Sequence, residues 1–352
     1  MVFADAPATR VDRGDTLVKF LRLFEPATRG VSSAELAAGP DVVCDVAFVG
    51  LPTQLSPAGL GRLRATRVVR FDYFDEPWPD VEAPALDHAG VTAGLGTLHL
   101  KTHRERVAPS WATSVPTRGL TIGLLPIRYN KAVASAWRRH RAGAPWRAVR
   151  HLLGRKDRPW DVSLHGSVTF LQRPGPDGNP VRYEQRIDWM RELRAEPAWA
   201  QWGALHPLPY RTVDDVVHTH GASVAQLFDD GPKLGFGEYF ARVAATKVAL
   251  CPSGHARWTY RHVEAVYAGC EVVSTDLTGI DTLLPAPVEA MTLVPDHAAI
   301  RPAVQAALDA WDERSLRRDA AVAHLEGWLD AGRFARGRRR PFEAFEQQLG
   351  AP

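Results

Sequence analysis

Residues 239–276 read YFARVAATKVALCPSGHARWTYRHVEAVYAGCEVVSTD, and this stretch decides the fold. Tyr239–Thr246 reads as a short helix and Lys247–Cys251 as a buried strand. Pro252, Ser253, Gly254 and His255 form a sharp turn. Thr259–Ala268 predicts a second helix closed by Gly269 as its C-cap, and Glu271–Thr275 predicts the next strand. Strand, helix and parallel strand within about 30 residues make one βαβ unit. Such a unit puts the Ser253–Gly254 turn at the carboxyl end of a strand, where open α/β sheets bind ligands.

The turn also predicts what kind of ligand. Free N–H groups at the start of the second helix, together with its dipole, favour an anion such as a diphosphate. Arg257 and Arg261 add positive charge and paired donors at the same end. Glu264 lies one helical turn beyond Arg261, and a carboxylate there can accept hydrogen bonds from two ribose hydroxyls. A plainer reading stands beside this one. A strand–turn–helix with one glycine is common, and Arg261 with Glu264 at i,i+3 also makes a surface ion pair worth roughly 0.2–0.5 kcal/mol.

Outward from this segment the pattern repeats. Apolar runs at Val46–Val49, Val68–Phe71 and Leu120–Leu125 end in Gly50 and Pro52, in Asp72 and in Pro126. Leu17, Phe20, Leu21 and Phe24 recur at helical spacing behind Asp15. Strands alternating with helices predict α/β architecture with parallel sheets flanked by helices. Val162–Leu164 starts a second set of strands, followed by His165 and Gly166, and Arg182–Glu196 reads as a helix with Ile187, Met190 and Leu193 on its core face. The expected layout is two Rossmann-like domains, 1–155 and 156–311, with helices over 312–352 that pack back across them. A chain of 352 residues is long for one core and comfortable for two.

Composition narrows the function class. The 45% hydrophobic and 24% charged residues are ordinary for a globular protein, and no long apolar run predicts a transmembrane helix. Cys44, Cys251 and Cys270 are an odd, sparse set that fits a reducing compartment, so a cytoplasmic location is expected. No paired CxxC or HExxH spacing is present, and no metal site is expected. The adjacent acids Asp229 and Asp230 read as loop caps. Net charge is only +3, yet residues 128–158 are dense in arginine and lysine, with Trp137 and Trp146 interleaved. That segment reads either as a solvated helix face or as a surface for anionic lipid, which would put the protein at the inner membrane face. No nucleic-acid-binding motif accompanies it, and no nucleic-acid partner is expected.

The run Pro252–Ser253–Gly254, Arg261–His262–Val263–Glu264–Ala265 and Ala268–Gly269–Cys270–Glu271–Val272–Val273, ending in Ser274–Thr275–Asp276, resembles the donor-binding signature of GT-B glycosyltransferases. It is closest to exostosin-like and group 1 transferases, and the close match spans some 40 residues. The resemblance implies a GT-B enzyme that moves a sugar from a nucleotide-diphosphate donor to a glycan, lipid-linked or small-molecule acceptor, as in polysaccharide biosynthesis, with the donor as co-substrate and no bound cofactor or metal. Glu264 would bind the ribose, Ser253, Gly254, His255 and Gly269 would lie in the donor site, and Arg257 and Arg261 would neutralise the leaving group. His165 and Gly166 would face the donor sugar. Asp72, with Asp75 and Glu76 behind it, is the expected acceptor base, and Lys101 and His103 are further cleft residues. Many retaining members carry two glutamates with seven residues between them; the earlier position here is Ala256, so retention or inversion is left open. A sugar-nucleotide epimerase of the same fold and a non-catalytic binding protein are the alternatives.

Overall fold

The computed structural model describes residues 2–5, 29–51, 62–72, 99–101, 104–105, 117–119, 158–174, 180–208, 211–229, 231–232, 234–255, 257–281 and 287–329. The chain divides into two compact units, one of residues 1–127, 279–285 and 331–352, the other of residues 128–278 and 286–330. The apolar run Leu120–Leu125, the helix predicted behind Asp15 and nearly all of the basic segment lie outside the described residues.

In the first unit, strands β1 (Val2–Asp5), β2 (Arg29–Ser32), β3 (Val42–Leu51), β4 (Leu63–Asp72), β5 (His99–Lys101) and β7 (Thr117–Gly119) form a parallel sheet in the order β2-β1-β3-β4-β5-β7. Between β4 and β7 the short β6 (Arg104–Glu105) pairs antiparallel with the later β16 (Ile280–Asp281). A short helix α1 (Ser33–Ala38) follows β2. β3 and β4 pair from Val42↔Leu63 to Leu51↔Asp72, well beyond the apolar runs that mark them in sequence. The ladder continues through Asp41's neighbours and Arg64 because main-chain bonding does not need an apolar side chain on the solvated part of a strand.

The second unit holds the segment that decides the fold. Its strands β8 (Trp160–Ser163), β12 (Gln201–Trp202), β14 (Thr246–Cys251), β15 (Glu271–Thr275) and β17 (Met291–Val294) form a parallel sheet in the order β12-β8-β14-β15-β17. Shorter pairs join β9 (Gly166–Ser167) to β13 (Leu205–His206), and β10 (Leu171–Pro174) to β11 (Pro180–Tyr183). The helices are α2 (Gln185–Arg194), α3 (Val213–His220), α4 (Phe236–Ala244), α5 (Tyr260–Tyr267), α6 (Ile300–Asp309) and α7 (Ser315–Leu329). The α/β class with parallel sheets is therefore as expected.

Val162, Val248, Leu250 and Val273 of the sheet share one core cluster with Ile187, Met190 and Leu193 of α2 and with Ile300 and Val304 of α6. The alternate residues Ala249 and Cys251 of β14 are buried as well, so this strand is covered on both faces, as a central parallel strand must be. Each such side chain contributes about 1.5–3 kcal/mol by leaving water. The chain runs from β8 outward to β12, then returns to β14 on the other side of β8. In open α/β sheets such a reversal puts the ligand-binding crevice beyond the carboxyl ends of the strands, here β8 and β14. Among the described residues, no helix is long and apolar enough to cross a membrane.

Candidate functional site

The Ser253–Gly254 turn leaves the end of β14 at this crevice, and the start of α2 grips it. Ser253 donates its main-chain N–H to Gln185 Oε1 at 2.7 Å, and Gln185 Nε2 donates to Thr275 Oγ1 at 3.3 Å. Arg186 donates from Nε to the Ser253 carbonyl at 3.1 Å and from Nη1 to the Ser167 carbonyl at 2.6 Å. Gly254 is buried and has to be small: a Cβ there would stand 2.7 Å from Arg186 Nη2 and 3.3 Å from Thr169 Oγ1. The Ser253 amide is thus taken by Gln185, and the turn offers the Ser253 hydroxyl.

Arg261 reaches the same crevice from the first turn of α5. Its Nη2 donates to the His165 carbonyl at the end of β8, over Gly166, where a Cβ would collide with the guanidinium. Its Nε and Nη1 are buried and have no hydrogen-bond partner within the protein. Thr169 Oγ1, Ser253 Oγ and His255 Nδ1 are buried in the same state. A buried unsatisfied donor costs about 1–3 kcal/mol, and more when it carries charge. Most buried polar atoms of native proteins are paired, so a group of unpaired ones around a single turn makes this turn the candidate binding surface. Hydroxyls and guanidinium N–H groups together suit an oxyanion with several acceptor oxygens.

Deeper along α5, Glu264 is buried and accepts a hydrogen bond from the Tyr239 hydroxyl of α4 at 2.9 Å. Burial and the adjacent Glu264 charge hold the Tyr239 phenol protonated by raising its pKa well above the usual value. The Tyr239 ring stands 5.6 Å from His165, which stacks on Trp202 at 5.2 Å and meets His206 edge-on at 4.7 Å. Burial first, then the neighbouring His206 and Arg261, lower the His165 pKa to about 4, so this imidazole is neutral at neutral pH. The start of α5 is fixed by His262. The Thr259 N–H donates to its Nδ1 at 3.0 Å, leaving Nε2 to donate to Ser274 Oγ at 2.8 Å. Ser274 in turn donates to the Thr275 carbonyl at 2.8 Å, so one neutral tautomer satisfies the whole relay.

The structure thus brings together His165, Gly166, Ser253, Gly254, His255, Arg261 and, one turn further, Glu264. Of the two other residues expected with them, Arg257 is bonded at the carboxyl end of β15 and Gly269 is placed elsewhere. Arg257 donates from Nη1 to the Asp276 carbonyl at 2.8 Å, on the loop after β15. Gly269 lies at the opposite end of α5; its φ of 72° makes it a helix terminator, and a Cβ there would meet Arg158 Nη2 at 3.1 Å. Asp72 and Lys101 end β4 and β5 of the first unit, and their side chains, like all of Asp75, Glu76, His103, Asp230 and Ala256, lie outside the described residues. Asp229 does cap its loop, accepting from the Gly231 N–H at 2.8 Å. Sequence reasoning missed Thr169, Gln185, Arg186 and Tyr239. The available signal was Gln185–Arg186 at the first turn of a helix otherwise patterned for the core, since a cation there opposes the helix dipole.

No protein-family model matches the chain, and no curated protein matches it. Among solved structures it is similar to α,α-trehalose 6-phosphate synthase from Burkholderia multivorans, at 14% identity over 91% of this chain and 75% of that one, with a TM-score of 0.45. Sucrose-phosphate synthase from Thermosynechococcus elongatus matches at 11% identity over 98% of this chain and 81% of that one, with a TM-score of 0.44. A co-structure of S. aureus MnaA with UDP matches at 13% identity over 93% of this chain and 94% of that one, with a TM-score of 0.40.

Proposed function

We propose that the crevice at β8 and β14 binds a nucleoside-diphosphate sugar and that the chain is a glycosyltransferase. The observation that carries this reading is the pair of buried, unpaired donors on Arg261, set beside the Ser253 and Thr169 hydroxyls at the reversal of the sheet. A diphosphate supplies the oxygens that those donors lack. Glu264, further along the same helix, is the group that would accept from the ribose hydroxyls.

In this reading the bond between the anomeric carbon and the diphosphate oxygen breaks, and the diphosphate keeps the electron pair. An acceptor hydroxyl oxygen bonds to the same carbon and loses its proton. Arg261 is fixed by the His165 carbonyl before any charge develops, so its cation stabilises the leaving diphosphate without reorganising. Because that charge comes from a side chain, transfer is expected to persist in EDTA. Neutral His165 adds no competing positive charge beside the sugar. The acceptor is a glycan, a lipid-linked molecule or a small molecule; binding to anionic vesicles at low salt, carried by residues 128–158, would favour the lipid-linked class.

The test is a thermal-shift screen of the full chain with UDP, GDP, ADP, CMP and their sugars, repeated on Glu264→Ala. A ligand that binds only the folded protein raises the midpoint by mass action. One nucleotide that shifts the wild type and fails to shift the variant is the expected result. No shift with any nucleotide at millimolar concentration would remove the nucleotide reading.

A further inference from the structure

We propose that Arg182 and His255, joined through the Phe170 ring between them, select a sugar substrate that carries an anionic group apart from the diphosphate, a carboxylate or a phosphate. This inference rests on the glycosyl-transfer reading above and adds to it the charge of the sugar. None of the three residues takes part in the diphosphate and ribose contacts of that reading.

The β10–β11 hairpin brings them together. Its strands pair antiparallel with Gln172 opposite Arg182. Phe170, two residues before Gln172, shares the face on which Arg182 lies and is its diagonal neighbour, within reach of a long side chain. The Arg182 guanidinium stands over the Phe170 ring, 4.4 Å from its centre. His255 meets the same ring edge-on, with centroids 4.9 Å apart and planes at 89°. Because His255 follows Gly254 directly, the row His255, Phe170, Arg182 runs outward from the Ser253–Gly254 turn.

The state of these side chains points to a ligand. Arg64, Arg191, Arg242 and Arg301, the comparable arginines with exposed side chains, each meet a carboxylate at 2.7–3.2 Å. Arg182 is exposed and meets no carboxylate among the described residues; a ring holds it in place of an acid. A guanidinium held this way is positioned yet keeps its N–H donors, whose fork matches the oxygens of a carboxylate or a phosphate. His255 Nδ1 is buried with no hydrogen-bond partner. The Phe170 ring orients the imidazole, and no hydrogen bond at Nδ1 sets its tautomer, so a substrate oxygen can be met as donor or as acceptor. Electrostatics supplies the reason for a separate cation. A further negative group on a sugar repels the diphosphate bound beside it. Arg261, fixed on the His165 carbonyl, serves the diphosphate, whereas Arg182, beyond the Phe170 ring, offsets the added charge.

The experiment saturates the full chain with inorganic pyrophosphate, which fills the diphosphate subsite whatever the base, and then titrates glucose, glucuronate and glucose 6-phosphate by calorimetry. At least one anionic probe is expected to bind about tenfold tighter than glucose, with a preference that shrinks at high salt because Arg182 is exposed. Arg182→Gln should abolish that preference and Arg182→Lys should keep part of it, while pyrophosphate affinity changes by less than about twofold in both. His255→Ala should weaken the preferred probe by about threefold or more. A preference that survives in Arg182→Gln would leave Arg182 only as cover for the Phe170 ring and overturn its assignment. Unchanged affinity in His255→Ala would overturn the part given to His255. Equal affinity for the three sugars, or no sugar binding at all, would overturn the whole proposal. Competition with the neutral nucleotide sugar found in the thermal-shift screen then separates two supporting outcomes: a displaced anionic probe puts the charge on the transferred sugar, and one that binds alongside puts it on the acceptor. A wild type that binds neither pyrophosphate nor any nucleotide removes the reading beneath this inference as well. Pyrophosphate binding without a charge preference among the sugars removes this inference alone.

Discussion

The two edges of the five-stranded sheet in the second unit are built from similar residues and treat them in opposite ways. At the amino edge, Arg158 donates to the Thr246 carbonyl at 2.6 Å and to the Ala268 carbonyl at 2.9 Å. Glu271, 1% exposed, meets Arg318 at 3.2 Å and Arg314 at 3.7 Å. Arg158 and Arg318 both stand over the Trp311 ring, at 5.2 and 3.6 Å. At the carboxyl edge, Arg261 spends one donor on a main-chain carbonyl and leaves two buried donors unpaired, with unpaired hydroxyls alongside. Arginine with a matched carboxylate closes one edge, and arginine without one keeps the other ready for an anion. Arg314 Nη1 and Glu271 Oε2 of the closed edge also lack a hydrogen bond, yet they face each other as opposite charges at 3.7 Å; it is the carboxylate partner, more than the state of each donor, that separates the two edges.

The largest expected effect breaks the closed edge. Arg318→Ala removes the nearer of two arginine partners of buried Glu271 and the closest stack on Trp311, and should cost about 1.5–3 kcal/mol of unfolding free energy in urea titration. Pyrophosphate affinity of the folded protein should change by less than about twofold. An unchanged urea midpoint would show that this edge does not hold the unit together.

At the open edge the same kind of change should do the reverse. Arg261→Met deletes two unpaired buried donors together with the Nη2 bond to the His165 carbonyl, two changes of opposite sign, so stability should stay within about 1 kcal/mol of wild type. Pyrophosphate affinity should fall roughly 10- to 100-fold, equivalent to about 1.4–2.8 kcal/mol. A variant that loses stability and keeps affinity would make Arg261 a structural residue and erase the contrast between the edges.

Much of this was legible in the sequence. The βαβ unit over 239–276 follows from an apolar run, a turn and an amphipathic helix with a glycine after it, and the strand and helix bounds fall within a few residues of expectation. Ser253, Gly254, Arg261 and Glu264 could be named because they sit close together on one local unit. Gln185, Arg186 and Tyr239 could not, because each reaches the site through tertiary packing from a helix whose pattern announces only its apolar face. The assignment of Gly269 to the site failed for the converse reason. Neighbourhood in sequence suggested a shared role, but the helix carries Gly269 to the opposite edge.

A third prediction follows from pH. Burial, followed by the Arg261 and Arg186 charges, holds His262 at a pKa of about 3 against the effect of its hydrogen bond with Thr259. The unfolded chain takes up a proton near pH 6.5, whereas the folded one does not until near pH 3. Stability from this group is therefore complete above about pH 6.5 and is lost as the pH falls towards 3, at up to about 1.4 kcal/mol per pH unit. His262→Gln should unfold more easily at neutral pH, having lost the Thr259–Ser274 relay, and should show a flatter decline between pH 6 and 4 in chemical denaturation. An equally steep decline would assign the acid sensitivity to other groups.

The smallest effect tests whether the open edge has parts. Tyr239 donates to Glu264 rather than to the phosphate cluster, so removing its hydroxyl should disturb only the group proposed for the ribose. A hydrogen bond to a charged acceptor contributes about 1.5–3 kcal/mol when lost outright, and less when water can replace the donor. Tyr239→Phe should therefore weaken binding of the stabilising nucleoside diphosphate by about fivefold and leave pyrophosphate affinity unchanged. Equal losses for both probes would mean that Tyr239 and Glu264 act through Arg261, one turn away on the same helix, and that the crevice recognises the diphosphate alone.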